Sequence, residues 1–344
     1  MWQKIKDSPY PVVLYGTGNA ADRIIDQLEQ RGIPIAGIFA SDGFVRDRTF
    51  HGIPVISYDE AKARFAKMTV VLCFGSHLPQ VIDRFAAIDR EQELYAPDLP
   101  VTGEGLFTEA YAQSCRAKME KVRSLLADEK SRQVWDDIME YRLTGRLAPL
   151  LRCATPDEEN WKLVCIGPDE TYLDLGAYTG DTVQLFCSFT DSWQQIVAVE
   201  PESRNFRKLC RSAETLSDCT CLQLAVSDGP GRLPFSKGLG RGGAGGKGKI
   251  TLVEADSIDN IVKNDCRKPP TLIKFDLEGE EGRVLRGGAQ VLRQYRPKLI
   301  LAAYHRIDDL WELPLQVLAI NPSYRVYLRR SPCVPCWESN FYMV

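Results

Sequence analysis

Short apolar runs separated by turns and amphipathic stretches recur along the chain, and their spacing falls into three blocks. In the first, runs at 12–15, 33–39, 52–56 and 70–74 are rich in Val, Ile, Leu and Phe and are bounded by glycine, serine or aspartate turns. The turn Gly16, Thr17, Gly18 opens an amphipathic stretch that predicts a helix to about Arg31, so residues 11–97 read as an α/β unit. From 106 to 151 the apolar period becomes helical. Leu125 and Leu126, the polar stretch 128–131, then Val134, Trp135 and Ile138 predict two helices with a break between them. In the third block, strands are predicted at 172–175, 196–199, 220–226, 272–275, 299–303, 324–328 and 341–344. No helical pattern separates the last two, which predicts an antiparallel hairpin at the sheet edge. The expected fold is therefore α/β with two Rossmann-like units. Residues 1–100 form the first, 101–160 a helical bridge, and 161–344 a seven-stranded, mostly parallel sheet closed by that hairpin.

Composition narrows the classes of function. A chain of 344 residues with 44% hydrophobic and 26% charged residues suits two globular domains with a sizeable core. Its net charge of −3 argues against a nucleic-acid footprint, which needs a basic surface. No apolar run approaches the roughly 20 residues that span a bilayer, and the first residues hold no apolar leader segment. A cytoplasmic protein is expected, and a homo-oligomer stays open. The eleven cysteines are scattered, several within apolar runs, as reduced core residues would be. Cys333 and Cys336 form one C-x-x-C with no second ligand pair, which reads as structural rather than zinc-binding or redox-active.

The candidate chemistry concentrates after residue 170. The run 171–175 ends in a turn containing Gly176, Ala177, Tyr178 and Gly180, and the next apolar run ends in Glu200. In an open α/β sheet this puts a backbone-lined turn and an acid at neighbouring strand C-termini, where nucleotide-like ligands bind. Gly176 and Gly180 are expected to let backbone approach the ligand. Glu200 is placed to accept hydrogen bonds from two ribose hydroxyls. Three glycines offering a helix N-terminus to a pyrophosphate are lacking here. Asp174 instead is expected to face the ligand, which suits a cation such as the amino group of S-adenosylmethionine (SAM). A methyltransferase is the leading reading.

Three further groups join the site. Asp228 is expected on the adenine amino group; its plainer alternative is the cap of an Asp-Gly turn. Asp276 and Glu278 share one face of an extended segment, so their repulsion should raise a pKa unless a cation intervenes. Lys274, SAM itself and a metal are the candidate cations. No metal is expected, because hard-cation sites need more oxygen ligands than these. Asp276 is thus both a cofactor and a catalytic candidate, alongside Glu278. A helix cap is the alternative for Asp276, and a first-turn acid for Glu280. His305, at a predicted strand end, is the candidate base, since an ordinary pKa near 6.5 lets it take a hydroxyl proton at neutral pH. A structural histidine at a strand end is its alternative.

From about Asp128 onward the chain resembles the FkbM family of SAM-dependent O-methyltransferases. The residues that carry the resemblance are Leu173 to Asp181, Val199 to Glu202 with Asn205 and Phe206, Leu224 to Asp228, and Ala255 to Asp259. Ile273 to Glu280 is the most specific, followed by Val284 to Gly288, Pro297 to Leu299, Tyr304 to Arg306, Asp309 to Trp311 and Tyr324 to Leu328. The family implies methyl transfer to an oxygen, commonly of a sugar, a polyketide or another secondary metabolite. The first unit is similar to the nucleotide-sugar-binding domain of bacterial sugar acyltransferases through Tyr15 to Gly18 and Gly52 to Val55. Of the two acids that domain carries after its second strand, only Asp42 is present. Residues 1–97 are accordingly expected to recognise the acceptor or its carrier, a small molecule that could be a nucleotide-linked or glycan sugar. Two other functions compete: a nucleotide-sugar-binding protein without methyl transfer, and an NAD(P)-dependent oxidoreductase built on Gly16 and Gly18. The second lacks a Tyr-x-x-x-Lys or an equivalent hydride-transfer set.

Overall fold

The apolar runs become strands buried on both faces, as parallel sheets covered by helices require. The computed structural model describes all residues except Asn19, Asp42, Arg46, Asp47 and 237–249. Asp42 and the glycine-rich segment 238–248, expected from its composition to be mobile, lie outside the described residues. The first unit contains β1 (Val12–Tyr15), β2 (Ile35–Ala40), β3 (Thr49–Phe50), β4 (Ile53–Ser57), β5 (Thr69–Leu72) and β6 (Glu93–Tyr95). Their order is β3-β4-β2-β1-β5-β6, and only the β3–β4 pair is antiparallel. Helix Ala21–Glu29 follows the glycine turn and buries Ala21, Ile24, Ile25 and Leu28, an i, i+3, i+4, i+7 stripe. The run predicted at 70–74 stops early. Phe74 leaves the strand and packs on the glycine turn, so a Cβ at Gly16 would strike its ring and one at Gly18 would lie 2.6 Å from its Cβ.

Four helices, not two, occupy the bridge: Glu109–Leu125, Glu129–Thr144, Leu147–Cys153 and Asp157–Trp161. The expected break is a cap, because the Asp128 carboxylate accepts from the Ser131 N–H at 2.8 Å. The additional helices arise where Gly145, at φ +68, ends Glu129–Thr144 in the left-handed region. Helix Glu129–Thr144 docks on the second sheet: Leu328 donates its N–H to Ser131 Oγ at 3.0 Å, and Arg329 pairs with Asp128 at 2.6 Å.

The second unit adds β7 (Thr171–Leu175), β8 (Gln195–Val199), β9 (Cys219–Leu222), β10 (Ala225–Ser227), β11 (Gly231–Ser236), β12 (Ile250–Ser257), β13 (Leu272–Phe275), β14 (Lys298–Ala302), β15 (Val326–Arg330) and β16 (Ser339–Met343). The large sheet runs β15-β16-β14-β13-β7-β8-β9. Its β15–β16 and β14–β16 pairs are antiparallel, which is the hairpin expected at the edge. β7 lies between β13 and β8, so the crevice outside its C-terminal end is the point where the strand order reverses.

One predicted strand divides. The run 220–226 becomes β9 at the edge of the large sheet and β10, which departs to pair in parallel with β12. β11 then pairs antiparallel with β12 to make a separate three-stranded sheet, which the sequence did not predict. Pro234 lies within β11. It is tolerated because β11 is an edge.

The two units are stitched at their facing edges. Ser76 and Val334 exchange backbone hydrogen bonds of 2.7 and 3.0 Å. One buried apolar cluster runs from Phe39 and Phe85 through Trp135 and Tyr141 to Phe275 and Trp311, so the sheets and bridge share a core. Among the described residues, no helix is long and apolar enough to cross a membrane.

Candidate active site

The C-terminal ends of β7, β8 and β13 open into a cleft of about 330 Å³. The turn after β7 forms one wall, with Gly176 and Ala177 both donating N–H to the Val199 carbonyl at 3.0 and 2.9 Å. Gly176 is at φ +82 and Gly180 at φ +90, conformations that favour glycine. The glycines also answer to the protein itself. A Cβ on Gly176 would collide with the Asp276 carbonyl oxygen, and one on Gly180 with Ser212 Oγ. Ala177 is buried behind this turn, and Tyr178, at φ +47, lines the cleft.

Glu200 enters from the end of β8 at 6% exposure. Its Oε2 accepts from the Tyr178 N–H at 3.0 Å and its Oε1 from the Glu202 N–H at 2.8 Å. Burial pushes its carboxyl up to about 7, against the pull of those two donors. The Asn205 side chain also bonds the carboxylate, whose two oxygens together still have room for a further donor.

Asp174 takes a different place from the one expected. It is fully buried at the end of β7, outside the cleft lining. The Thr182 hydroxyl donates to its Oδ2 at 2.5 Å, and Lys274 Nζ, from the register-matched position on β13, lies 3.5 Å from its Oδ1. Lys274 also reaches Asp276 Oδ2 at 3.6 Å. Burial raises the Asp174 pKa while Lys274 draws it down. Burial likewise lowers that of Lys274, but Asp174 and Asp276 outweigh it and hold the ammonium above its ordinary value. Lys274, not the ligand, is thus the cation facing Asp174, and Lys274 and Asp276 form the cleft floor.

Beyond β13 the chain turns sharply. Glu278 is at φ +53 and Gly279 at φ +97. Thr102 Oγ1 donates to the Glu278 carbonyl at 2.9 Å and Arg306 Nε to that of Gly279 at 2.5 Å, which clasps the bend. Such strain in a non-glycine residue persists where surroundings enforce it. Here it sets the Glu278 side chain at the cleft rim. Glu280 pairs with Arg306 at 3.2 Å and Arg283 at 3.8 Å.

His305, 1% exposed, lies among three carboxylates. Its Nε2 is 3.3 Å from Asp276 Oδ1 and 3.9 Å from Glu278 Oε2, and its Nδ1 is 2.9 Å from Glu281 Oε1. Burial lowers its pKa, but Glu281 and Asp276 more than offset this and hold it well above 6.5. The surrounding acids favour the protonated ring, which works against the expectation of a neutral base. Asp276, Glu281 and His305 offer ligand atoms within 4.8 Å of one another.

Glu281 was not anticipated. It is fully buried, accepts from the Leu277 N–H at 2.7 Å, and holds a lowered pKa because His305 outweighs the burial that would raise it. The signal was present: 281, 284 and 285 share one helical face with Val284 and Leu285, where a carboxylate needs a buried partner. Asp228 stands outside the cleft lining, with its carboxylate 3.1 Å from Arg283 and 3.7 Å from Arg286. Cys333 and Cys336 are buried free thiols.

The chain is similar to several known proteins. A methyltransferase FkbM from Methylobacillus flagellatus KT superposes with a TM-score of 0.76 at 20% identity, covering 100% of this chain and 92% of that one. An rRNA methylase from Streptococcus thermophilus aligns with a TM-score of 0.37 at 11% identity, over 55% of this chain and 95% of that one. The fibrillarin of Aeropyrum pernix, solved with natively bound SAM, gives 0.32 at 10% identity, over 51% and 66%. No match is found among curated proteins. Residues 174–325 match the family described as the methyltransferase FkbM domain. They span the turn, Glu200, the β13 acids and His305, so it is this stretch of the chain that matches an FkbM methyltransferase domain.

Proposed function

We propose that the protein transfers the methyl group of SAM to a hydroxyl oxygen of a small-molecule acceptor. The observation that carries this is the charge of the cleft. Among the described residues, Asp181, Glu200, Glu202, Asp276, Glu278 and Glu280 line it against only Lys274 and Arg283. Such a wall repels the pyrophosphate of NAD(P) or a nucleotide sugar and attracts a cation. The residues fit SAM. Glu200 presents two backbone-anchored oxygens to a vicinal diol, and the acids around Lys274 face a positive sulfonium or ammonium.

When bound, SAM supplies an electrophilic methyl whose bond to sulfur breaks as the new carbon–oxygen bond forms, leaving a neutral thioether. The chain's task is to align the acceptor, exclude water and receive one proton. Glu278 is the proton acceptor at the rim. Asp276 is held by Lys274 and His305, and the imidazolium steadies both carboxylates. Arg306 and Thr102 fix the bend that aims Glu278.

Titration calorimetry of the full chain with SAM, NAD and a UDP-sugar tests the assignment. SAM should bind with one site per chain and NAD should not. Binding of NAD or the UDP-sugar with SAM silent would replace this reading by one of its rivals.

A further inference from the structure

A second cavity, of about 220 Å³, adjoins the cleft and is built by both units. The first unit contributes the turn Gly75, Ser76 and His77, and the second contributes Glu278, Tyr304, His305, Trp337 and Glu338. Glu278 lines this cavity and the cleft alike, so the carboxylate assigned the proton stands where they meet. On its far side, Gly75, Val101 and Trp337 also line a crevice of about 190 Å³ at the switch point of the first sheet. Trp337 is the partition. It packs against Gly75 so closely that a Cβ there would lie 2.5 Å from its Cζ3 and 2.9 Å from Pro335 Cδ. The Ser76–Val334 backbone pair holds the two walls in register.

On the reading of the cleft as the SAM site, we infer that this interface cavity is the acceptor pocket and that it selects acceptors by charge. Its volume falls below the roughly 300–1,000 Å³ of drug-sized sites, so it admits one small ring rather than a long chain. Trp337 and Tyr304 offer aromatic faces to such a ring. The carboxylates Glu278 and Glu338 accept hydrogen bonds from its hydroxyls. His305, which also lines the cavity, is already held by Asp276 and Glu281. An anionic acceptor would meet repulsion from both acids, whereas a neutral or amine-bearing ring alcohol would not. The first unit thus recognises the acceptor through the turn after β5, not through a nucleotide on its Gly16–Gly18 turn, where Phe74 packs. Trp337 and Glu338 determine specificity, and His77 closes the exposed side.

Three ring alcohols that differ only in charge provide the test. They are 1,4-cyclohexanediol, 4-aminocyclohexanol and 4-hydroxycyclohexanecarboxylate. Their binding to the full chain loaded with S-adenosylhomocysteine is read by saturation-transfer NMR, with calorimetry of S-adenosylhomocysteine on each variant. The diol and the amine should show contact and the carboxylate none. Trp337→Ala should weaken the diol signal at least fivefold while leaving S-adenosylhomocysteine affinity unchanged. Glu338→Gln should bring up the carboxylate's signal. Equal binding of carboxylate and diol to the wild type, or a diol signal indifferent to Trp337→Ala, overturns the pocket. Silence of all three probes on a chain that binds S-adenosylhomocysteine overturns it too, leaving the cofactor reading in place. Failure to bind S-adenosylhomocysteine sinks the reading on which the pocket rests.

Discussion

Removing the Glu200 carboxylate should weaken SAM binding by a definite amount, and lowering the pH should imitate the removal. Glu200 has a carboxyl raised to about 7 by burial, with one backbone N–H on each oxygen. A bound diol would add hydrogen bonds to a charged acceptor, worth about 1.5–3 kcal/mol together. Glu200→Ala should therefore raise the SAM Kd by about 10- to 150-fold. In the wild type the ionised fraction is about one tenth at pH 6 and nine tenths at pH 8, given a pKa of about 7. The diol prefers the carboxylate, so binding pulls the proton off. The Kd should fall about tenfold from pH 6 to pH 8, with proton release on binding near pH 6. Glu200→Gln should abolish that dependence and also leave one backbone N–H facing an amide N–H. The assay is calorimetry at pH 6, 7 and 8 in buffers of different ionisation enthalpy. A flat wild-type Kd together with an unaltered Kd in Glu200→Ala would refute the placement of Glu200 on the ribose.

Lys274→Met leaves the fully buried Asp174 without its cation and should cost about 3–5 kcal/mol of stability at pH 7 in denaturant titration. A loss below about 1 kcal/mol would show that Thr182 alone satisfies Asp174. Gly176→Ala combines φ +82 with a collision against the Asp276 carbonyl and should lower the melting temperature, the strain alone being about 1–3 kcal/mol; an unchanged Tm contradicts the packing described. Glu281→Gln strands the buried His305 charge and should destabilise by about 3–5 kcal/mol at pH 6. Because the folded pKa of His305 is raised, the pair's contribution is complete below the unfolded value of about 6.5 and is lost as pH rises from there through the higher folded value, so a deficit that grows with pH would contradict it.

The parallel strands were legible because a run such as 196–199, buried on both faces, needs no periodicity to be seen. The terminal hairpin followed from a missing helix, and Glu200 from its position after such a run. What escaped detection depends on contacts distant in sequence. Nothing near Phe74 announces that it will fold back on Gly16, and nothing near residue 225 announces a partner at 255. Asp174 looked like a ligand contact because sequence shows the strand end but not the lysine beside it in the next strand. His305 looked like a base because its ordinary pKa is near neutrality, and the surrounding acids that favour its protonated form come from elements the sequence does not place beside it. The interface cavity could not be read at all, since the Ser76–Val334 pairing brings together residues as far apart in sequence as His77 and Trp337.

A crystal structure of the full chain grown with S-adenosylhomocysteine tests the central claim most directly. The account predicts ligand density in the cleft beyond β7, β8 and β13, with both ribose hydroxyls on Glu200 and the sulfur directed toward the Glu278 rim. Density in the crevice beside Gly18 instead, or a ribose turned away from Glu200 in the cleft, would contradict it.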